Sequence, residues 1–331
     1  MRLSRLMGGV CALALAAFVP TGFVAAEPAD ASATTTPKPH PAEMMPKASQ
    51  ALMLSLAYSG KHLFAAGDFG EILASNDGRE WVQIPTPVRS PLTAIQFVDE
   101  NNGWAVGYEG VILHSADGGK TWTVQNFAPS LDQPFLDVQF LDKQHGFAIG
   151  AYGLFYETHD GGTTWAAGTP AAITSGGFHL YRAIKLGSGD VMVVGEQGLM
   201  GLSTDSAQTW TELPKIYEGT FFSAAPIGQT GAIVCGLRGN VFYSANARVG
   251  NWKKIETGTT NSMFGCAGID ANHAVLAGVN GILLMATLDS ATVQPIPGPQ
   301  QGVYSAVMPF DGGLIVAGES GVRRVDARLQ P

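Results

Sequence analysis

Thr93-Ala94-Ile95-Gln96-Phe97-Val98 is followed by Gly103-Trp104-Ala105-Val106-Gly107, then by Val111-Ile112-Leu113-His114-Ser115, and finally by Thr121-Trp122-Thr123-Val124. These four runs have strand length and are rich in β-branched and aromatic residues. Turn signals separate them: Tyr108-Glu109 between Gly107 and Gly110, and Asp117-Gly118-Gly119 before the last run. Glycine suits a tight hairpin, and an aspartate can accept backbone N–H bonds across its own turn. The stretch reads as four consecutive antiparallel strands.

Working outward, the same pattern of an apolar run, G-x-x-G and a second apolar run recurs along the chain. It occurs at Gly67/Gly70, Gly107/Gly110, Gly150/Gly153, Gly195/Gly198, Gly236/Gly239, Gly278/Gly281 and Gly318/Gly321. Successive first glycines lie 40, 43, 45, 41, 42 and 40 residues apart. Four strands in about 42 residues is the period of a propeller blade, as in WD40 repeats. Seven repeats in register predict an all-β, seven-bladed β-propeller with four-stranded blades over residues 51–331.

Composition agrees. The 331 residues include 42 glycines and are only 14 % charged, an excess of turn formers that argues against a helical bundle. A mean hydropathy of +0.13 argues against disorder. The net charge of −8 gives no basic footprint for nucleic acid or an anionic membrane. Arg2 and Arg5, the apolar run Leu6 to Val19, and Val24 and Ala26 before Glu27 read as a secretory signal over residues 1–26, removed on export. The expected location is therefore outside the cytoplasm, with no direct membrane insertion after cleavage. Residues 27–50, with Pro28, Pro37, Pro39, Pro41 and Pro46, read as an extended spacer. The seventh repeat carries neither the Asp-Gly-Gly turn nor a Trp-bearing outer strand. Residues 43–50 are the expected donor of a closing strand, and a three-stranded last blade is the alternative.

The second turn has a signature of its own. Ser115-Ala116-Asp117-Gly118-Gly119-Lys120-Thr121-Trp122 resembles the Asp-box of bacterial neuraminidase repeats, S-x-D-x-G-x-T-W. Thr158 to Trp165 is a near copy, Ser75 to Trp81 is one residue shorter, and Ser203 to Trp210 lacks the glycines. A single active site does not need four copies. Asp77, Asp117, Asp160 and Asp205 are accordingly expected to cap turns, and Trp81, Trp122, Trp165 and Trp210 to pack between sheets.

Together with the seven repeats and the secretory leader, these motifs resemble the photosystem II stability and assembly factor family of cyanobacteria and chloroplasts and its relatives in non-photosynthetic bacteria. The resemblance covers roughly residues 50–331. It implies an exported or lumenal, non-enzymatic scaffold, in the periplasm or thylakoid lumen, that binds a membrane protein or its precursor. It also implies an arginine-rich patch on one face. Only Arg238 places a basic residue between the paired glycines here, with Arg89 and Arg182 expected in or next to inter-blade loops. The other hairpins offer Phe69, Tyr108, Glu109, Tyr152 and Glu196, a mixture of aromatics and carboxylates suited to a peptide or basic partner. These eight residues are the candidate binding set of a monomer.

Other chemistries find less support. No Arg-Ile-Pro of the sialidases occurs, and the seven histidines show no H-x-H or H-E-x-x-H spacing for zinc. There is no Walker loop and no G-x-S-x-G elbow, so neither cofactor nor metal is expected. A glycosidase needs only two carboxylates at a fixed gap, so a carbohydrate-active propeller is the enzyme alternative. An accessory role in envelope transport is the other. Cys235 and Cys266 either form a bridge between neighbouring blades or pack as buried thiols.

Overall fold

The computed structural model describes residues 38–298 and 302–327. The expected signal over residues 1–26, and the spacer as far as residue 37, lie outside the described residues. Seven antiparallel sheets follow one another along the chain, each with its strands in sequence order. Six have four strands and the seventh has three. The first strands of the blades, Met53–Tyr58, Leu92–Phe97, Phe135–Phe140, Leu180–Lys185, Phe221–Ile227, Met263–Gly268 and Tyr304–Phe310, contact one another in turn. The last also meets the first, which closes the ring around a central channel.

The second strand is buried from end to end in six of the blades, as in Gly103–Gly107 and Val191–Gly195, and in blade 6 in all but its first residue, His273. A strand covered on both faces reads as a continuous apolar run without alternation, which is the pattern of Trp104-Ala105-Val106. Outer strands such as Thr123–Asn126 are exposed or half-buried. The core is correspondingly divided into seven apolar clusters, one between each pair of neighbouring blades. Trp122 packs between blades 1 and 2, edge-on to Phe97 at 5.9 Å. Trp165 meets Phe140 and Trp210 meets Phe147, each at 5.8 Å and near a right angle. Cys235 and Cys266 are both buried, unbridged thiols in the cluster between blades 5 and 6.

No fourth strand joins blade 7 among the described residues. Residues 48–50 form one turn of 3-10 helix, with Ala48 buried in the cluster between blades 7 and 1. Upstream, Ala42 N–H donates to Thr86 O at 3.2 Å, and Met45 N–H donates to Gln83 Oε1 at 2.8 Å. Residues 42–50 thus plug the seam between blades 7 and 1 with side chains and a turn, and the last blade keeps the three-stranded form.

Each G-x-x-G is a hairpin from the second strand to the third, and a single hydrogen bond recurs in all seven. The N–H that follows the first glycine donates to the carbonyl of the residue preceding the inner strand. Examples are Tyr108 to Pro91 at 3.0 Å, Glu196 to His179 at 3.0 Å and Val279 to Ser262 at 3.0 Å. The motif therefore ties the hairpin to the incoming inter-blade loop as well as turning the chain. Within it, Glu109, Tyr152, Gln197, Arg238 and Asn280 take φ between 54° and 59°. For side chains other than asparagine this left-handed conformation is uncommon.

Candidate functional site

In an antiparallel blade the turns alternate between the two ends, so the G-x-x-G hairpins share one face with the inter-blade loops. The Asp-box turns lie on the opposite face with the hairpins from first to second strand.

On the Asp-box face the carboxylates are consumed locally. Asp160 Oδ1 accepts Thr164 N–H at 2.9 Å, Oδ2 accepts the Thr164 hydroxyl at 2.7 Å, and the Thr158 hydroxyl donates to Oδ1 at 2.8 Å. Asp205 repeats the arrangement with Thr209 and Ser203. The threonine hydroxyl and N–H hold both carboxyls at about 2, below the usual aspartate range. A depressed folded-state value makes the stabilising contribution fully present above the unfolded value of about 4, and lost as pH falls through about 2. The stability difference between wild type and Asp160→Asn, followed by urea midpoints, should therefore be largest near neutral pH and shrink between pH 4 and pH 2. A difference that stays constant over that range would contradict the capping role.

The other face carries most of the candidate binding set. Phe69, Tyr108 and Tyr152, on the hairpins of blades 1, 2 and 3, are 55 %, 47 % and 62 % exposed. Arg89 and Arg238 are exposed on the same face. Glu109 accepts a hydrogen bond from the Ser90 hydroxyl. Glu196, on blade 4, accepts His179 N–H at 2.9 Å and lies 3.1 Å from His179 Nδ1. The Tyr152 ring stands edge-on to His179 with centroids 4.6 Å apart, so His179 joins two candidates that are 44 positions apart in the chain.

Arg182 stands next to an inter-blade loop, as the third residue of an inner strand, and lies in the channel wall. Its guanidinium pairs with Asp137 at 3.3 Å, and Asp137 Oδ2 also accepts Ala183 N–H at 2.7 Å. Burial pushes the Asp137 carboxyl above its ordinary range, and Arg182 is the charge that opposes the shift. Removing Arg182 would strand a buried carboxylate, so its replacement perturbs folding as well as any interaction. Arg324, just past the last hairpin, is engaged by Asp326 and Asp311.

The structure also reveals a ring of residues that the motifs did not mark. In all seven inner strands the register with the second strand slips at the second residue. Such a bulge re-aims the side chain it displaces. The displaced residues are Leu54, Thr93, Leu136, Tyr181, Phe222, Phe264 and Ser305, and all seven line a central cavity of about 320 Å³. Because the inner strand starts at the inter-blade loop, this ring lies at the channel mouth on the G-x-x-G face. Aligning the repeats on their first glycines places the seven residues thirteen or fourteen positions upstream, and that alignment is the signal that could have found them. No aspartate or glutamate lines this cavity among the described residues.

Fold and motifs together define an Asp-box propeller with an aromatic-rimmed channel mouth. Residues 73–134 and 128–247, just over half of the chain, match the family described as Photosynthesis system II assembly factor YCF48, and the chain belongs to that family. It is similar to the chloroplastic Photosystem II stability/assembly factor HCF136 of Cyanidioschyzon merolae, with 44 % identity over 52 residues. That match spans 15 % of this chain and 12 % of the relative's length. Among solved structures, a YCF48 bound to D1 peptide superposes with a TM-score of 0.67 at 18 % identity, covering 89 % of this chain and all of the other. A GH74 xyloglucanase from Xanthomonas campestris gives the same TM-score at 13 % identity, covering 85 % of this chain and 53 % of that enzyme. At these identities both structures report the fold.

Proposed function

We propose that the protein is an exported, monomeric, non-enzymatic assembly factor. It holds a segment of a membrane protein or precursor on the face formed by the G-x-x-G hairpins, in the periplasm or, in a photosynthetic source, the thylakoid lumen. One observation carries the reading: exposed aromatic residues on successive blades lead to a channel mouth walled by apolar and aromatic side chains, the composition of an interface anchor. Family membership supports it, as does the likeness in fold to a YCF48 that was solved bound to D1 peptide. The Asp-box carboxylates are engaged by their own turns, and Asp137 by Arg182 and a backbone N–H. Neither is placed for the paired acid–base work of a glycosidase.

The test is pulse-labelled capture from the source membranes with wild type, with the triple variant Phe69→Ala/Tyr108→Ala/Tyr152→Ala, and with Arg238→Ala. A newly made membrane protein should accompany the wild type, and its yield should fall about tenfold with the triple variant, a loss expected when two or three interface anchors are truncated. Unchanged recovery with the triple variant, or turnover of a polysaccharide by the purified protein, would overturn the reading.

A further inference from the structure

Five rings form a continuous track from the rim into the channel mouth. Tyr152 on the hairpin of blade 3 meets His179 at 4.6 Å, His179 meets Tyr181 at 6.0 Å, Tyr181 meets Phe222 at 5.2 Å, and Phe222 meets Phe264 at 4.9 Å. The last three rings belong to bulged positions of blades 4, 5 and 6, are half-buried, and line the central cavity. At the rim end stands Glu196, one-third exposed and adjacent to His179. Aromatic surface left half-solvated beside a cavity is surface awaiting cover, and the carboxylate at one end gives the track a polarity.

Resting on the function proposed above, we infer that this track selects its partner by a two-point code: a bulky apolar or aromatic side chain, with a lysine or arginine two residues away in extended chain. The apolar side chain enters the mouth against Tyr181, Phe222 and Phe264. The cation meets the Glu196 carboxylate at the rim, where His179 stands between that carboxylate and the Tyr152 ring. Charge decides the sign of the second point, because Glu196 places a carboxylate at that end of the track, while Arg182 is committed to Asp137 and Lys215, packed beside Gly198 of the same hairpin, to Glu218. Spacing decides the separation. Two residues of extended chain at roughly 3.3 Å each keep both side chains on one face, and the reach of a lysine or arginine covers the rest of the steps from Tyr181 to the rim.

The experiment uses the full chain and three fluorescein-labelled Gly/Ser nonapeptides, read by anisotropy. One carries Trp with Arg two residues away, one has Ala in place of Trp, and one has Glu in place of Arg. The first should bind at least tenfold more tightly than either of the others. Phe264→Ala should abolish the Trp preference while sparing the Arg preference, and Glu196→Gln should do the reverse. Phe264→Leu, which keeps apolar volume, should restore part of the Trp preference and guards against a loss caused by misfolding. Equal binding of all three peptides, or a preference for Glu over Arg, overturns the code. So does a Phe264-dependent dimer in sedimentation, which would make a second copy the occupant. If the peptides discriminate as expected while membrane capture fails, the code stands and the assembly role falls. If capture persists with Phe264→Ala and Glu196→Gln while the peptides do not discriminate, the role stands and the code falls.

Discussion

Replacing Trp104 by alanine should destabilise the protein by about 3–5 kcal/mol, the range for deleting a fully buried large aromatic. Trp104 lies in the second strand of blade 2 with no exposed surface. Its indole is sandwiched between Phe140, with centroids 3.5 Å apart and planes 10° from parallel, and His114 at 4.7 Å. Phe140 in turn takes the edge of Trp165, so the indole supports the packing of blade 2 against blade 3. Blades held in a closed ring are not free to move together and fill the void. Trp104→Phe should cost much less, about 1–2 kcal/mol, because it keeps a ring in the stack. It also removes an indole N–H that has no hydrogen-bond partner in the protein. Urea unfolding at constant m-value measures both. A Trp104→Ala cost below about 1 kcal/mol would mean that the interface can collapse around the loss.

The second large effect is expected at Gly107. Its φ of 179° is extended backbone open to any residue, so conformation does not require glycine there. Space does. A Cβ at this position would lie 1.9 Å from Pro91 O, the carbonyl that accepts the Tyr108 N–H. Backbone cannot rotate away as a flexible side chain can, and the inner strand would have to retreat from the hairpin. We expect Gly107→Ala to cost about 3 kcal/mol or more, at or beyond the upper end of ordinary overpacking. Gly228→Ala is the matched control: φ is 58° and nothing lies within 4 Å of the added atom, so only the conformational cost of about 1 kcal/mol applies. Equal destabilisation at the two sites would remove close approach as the reason for the first glycine of the motif.

Gly107 also shows where the sequence was readable and where it stopped. The period, the four strands per repeat and both turns were legible because each rests on local chemistry that glycine, aspartate and β-branched residues announce. The reason for the first glycine was not, because the carbonyl it admits belongs to a loop sixteen residues earlier, at Pro91. The setting of Arg182 was hidden for a similar cause. Its place next to a loop was legible, and only pairing with Asp137 of the adjacent blade reveals that its side chain belongs to the channel wall. Phe222 and Phe264 were marked by no motif. The bulge that turns them toward the channel is a property of two paired strands and has no residue signature of its own. The exposed hairpin aromatics, in contrast, followed from the motif alone once the seven repeats were aligned.

The central claim is that the partner sits on the G-x-x-G face. It is tested most directly by photo-crosslinking from two exposed positions on opposite faces of neighbouring blades, Gln197 beside Glu196 and Lys143 in the hairpin from first to second strand of blade 3. With the captured membrane protein identified by mass spectrometry, the account predicts covalent adducts from position 197 and none from position 143. Adducts from position 143, with position 197 silent in the same complex, would contradict it.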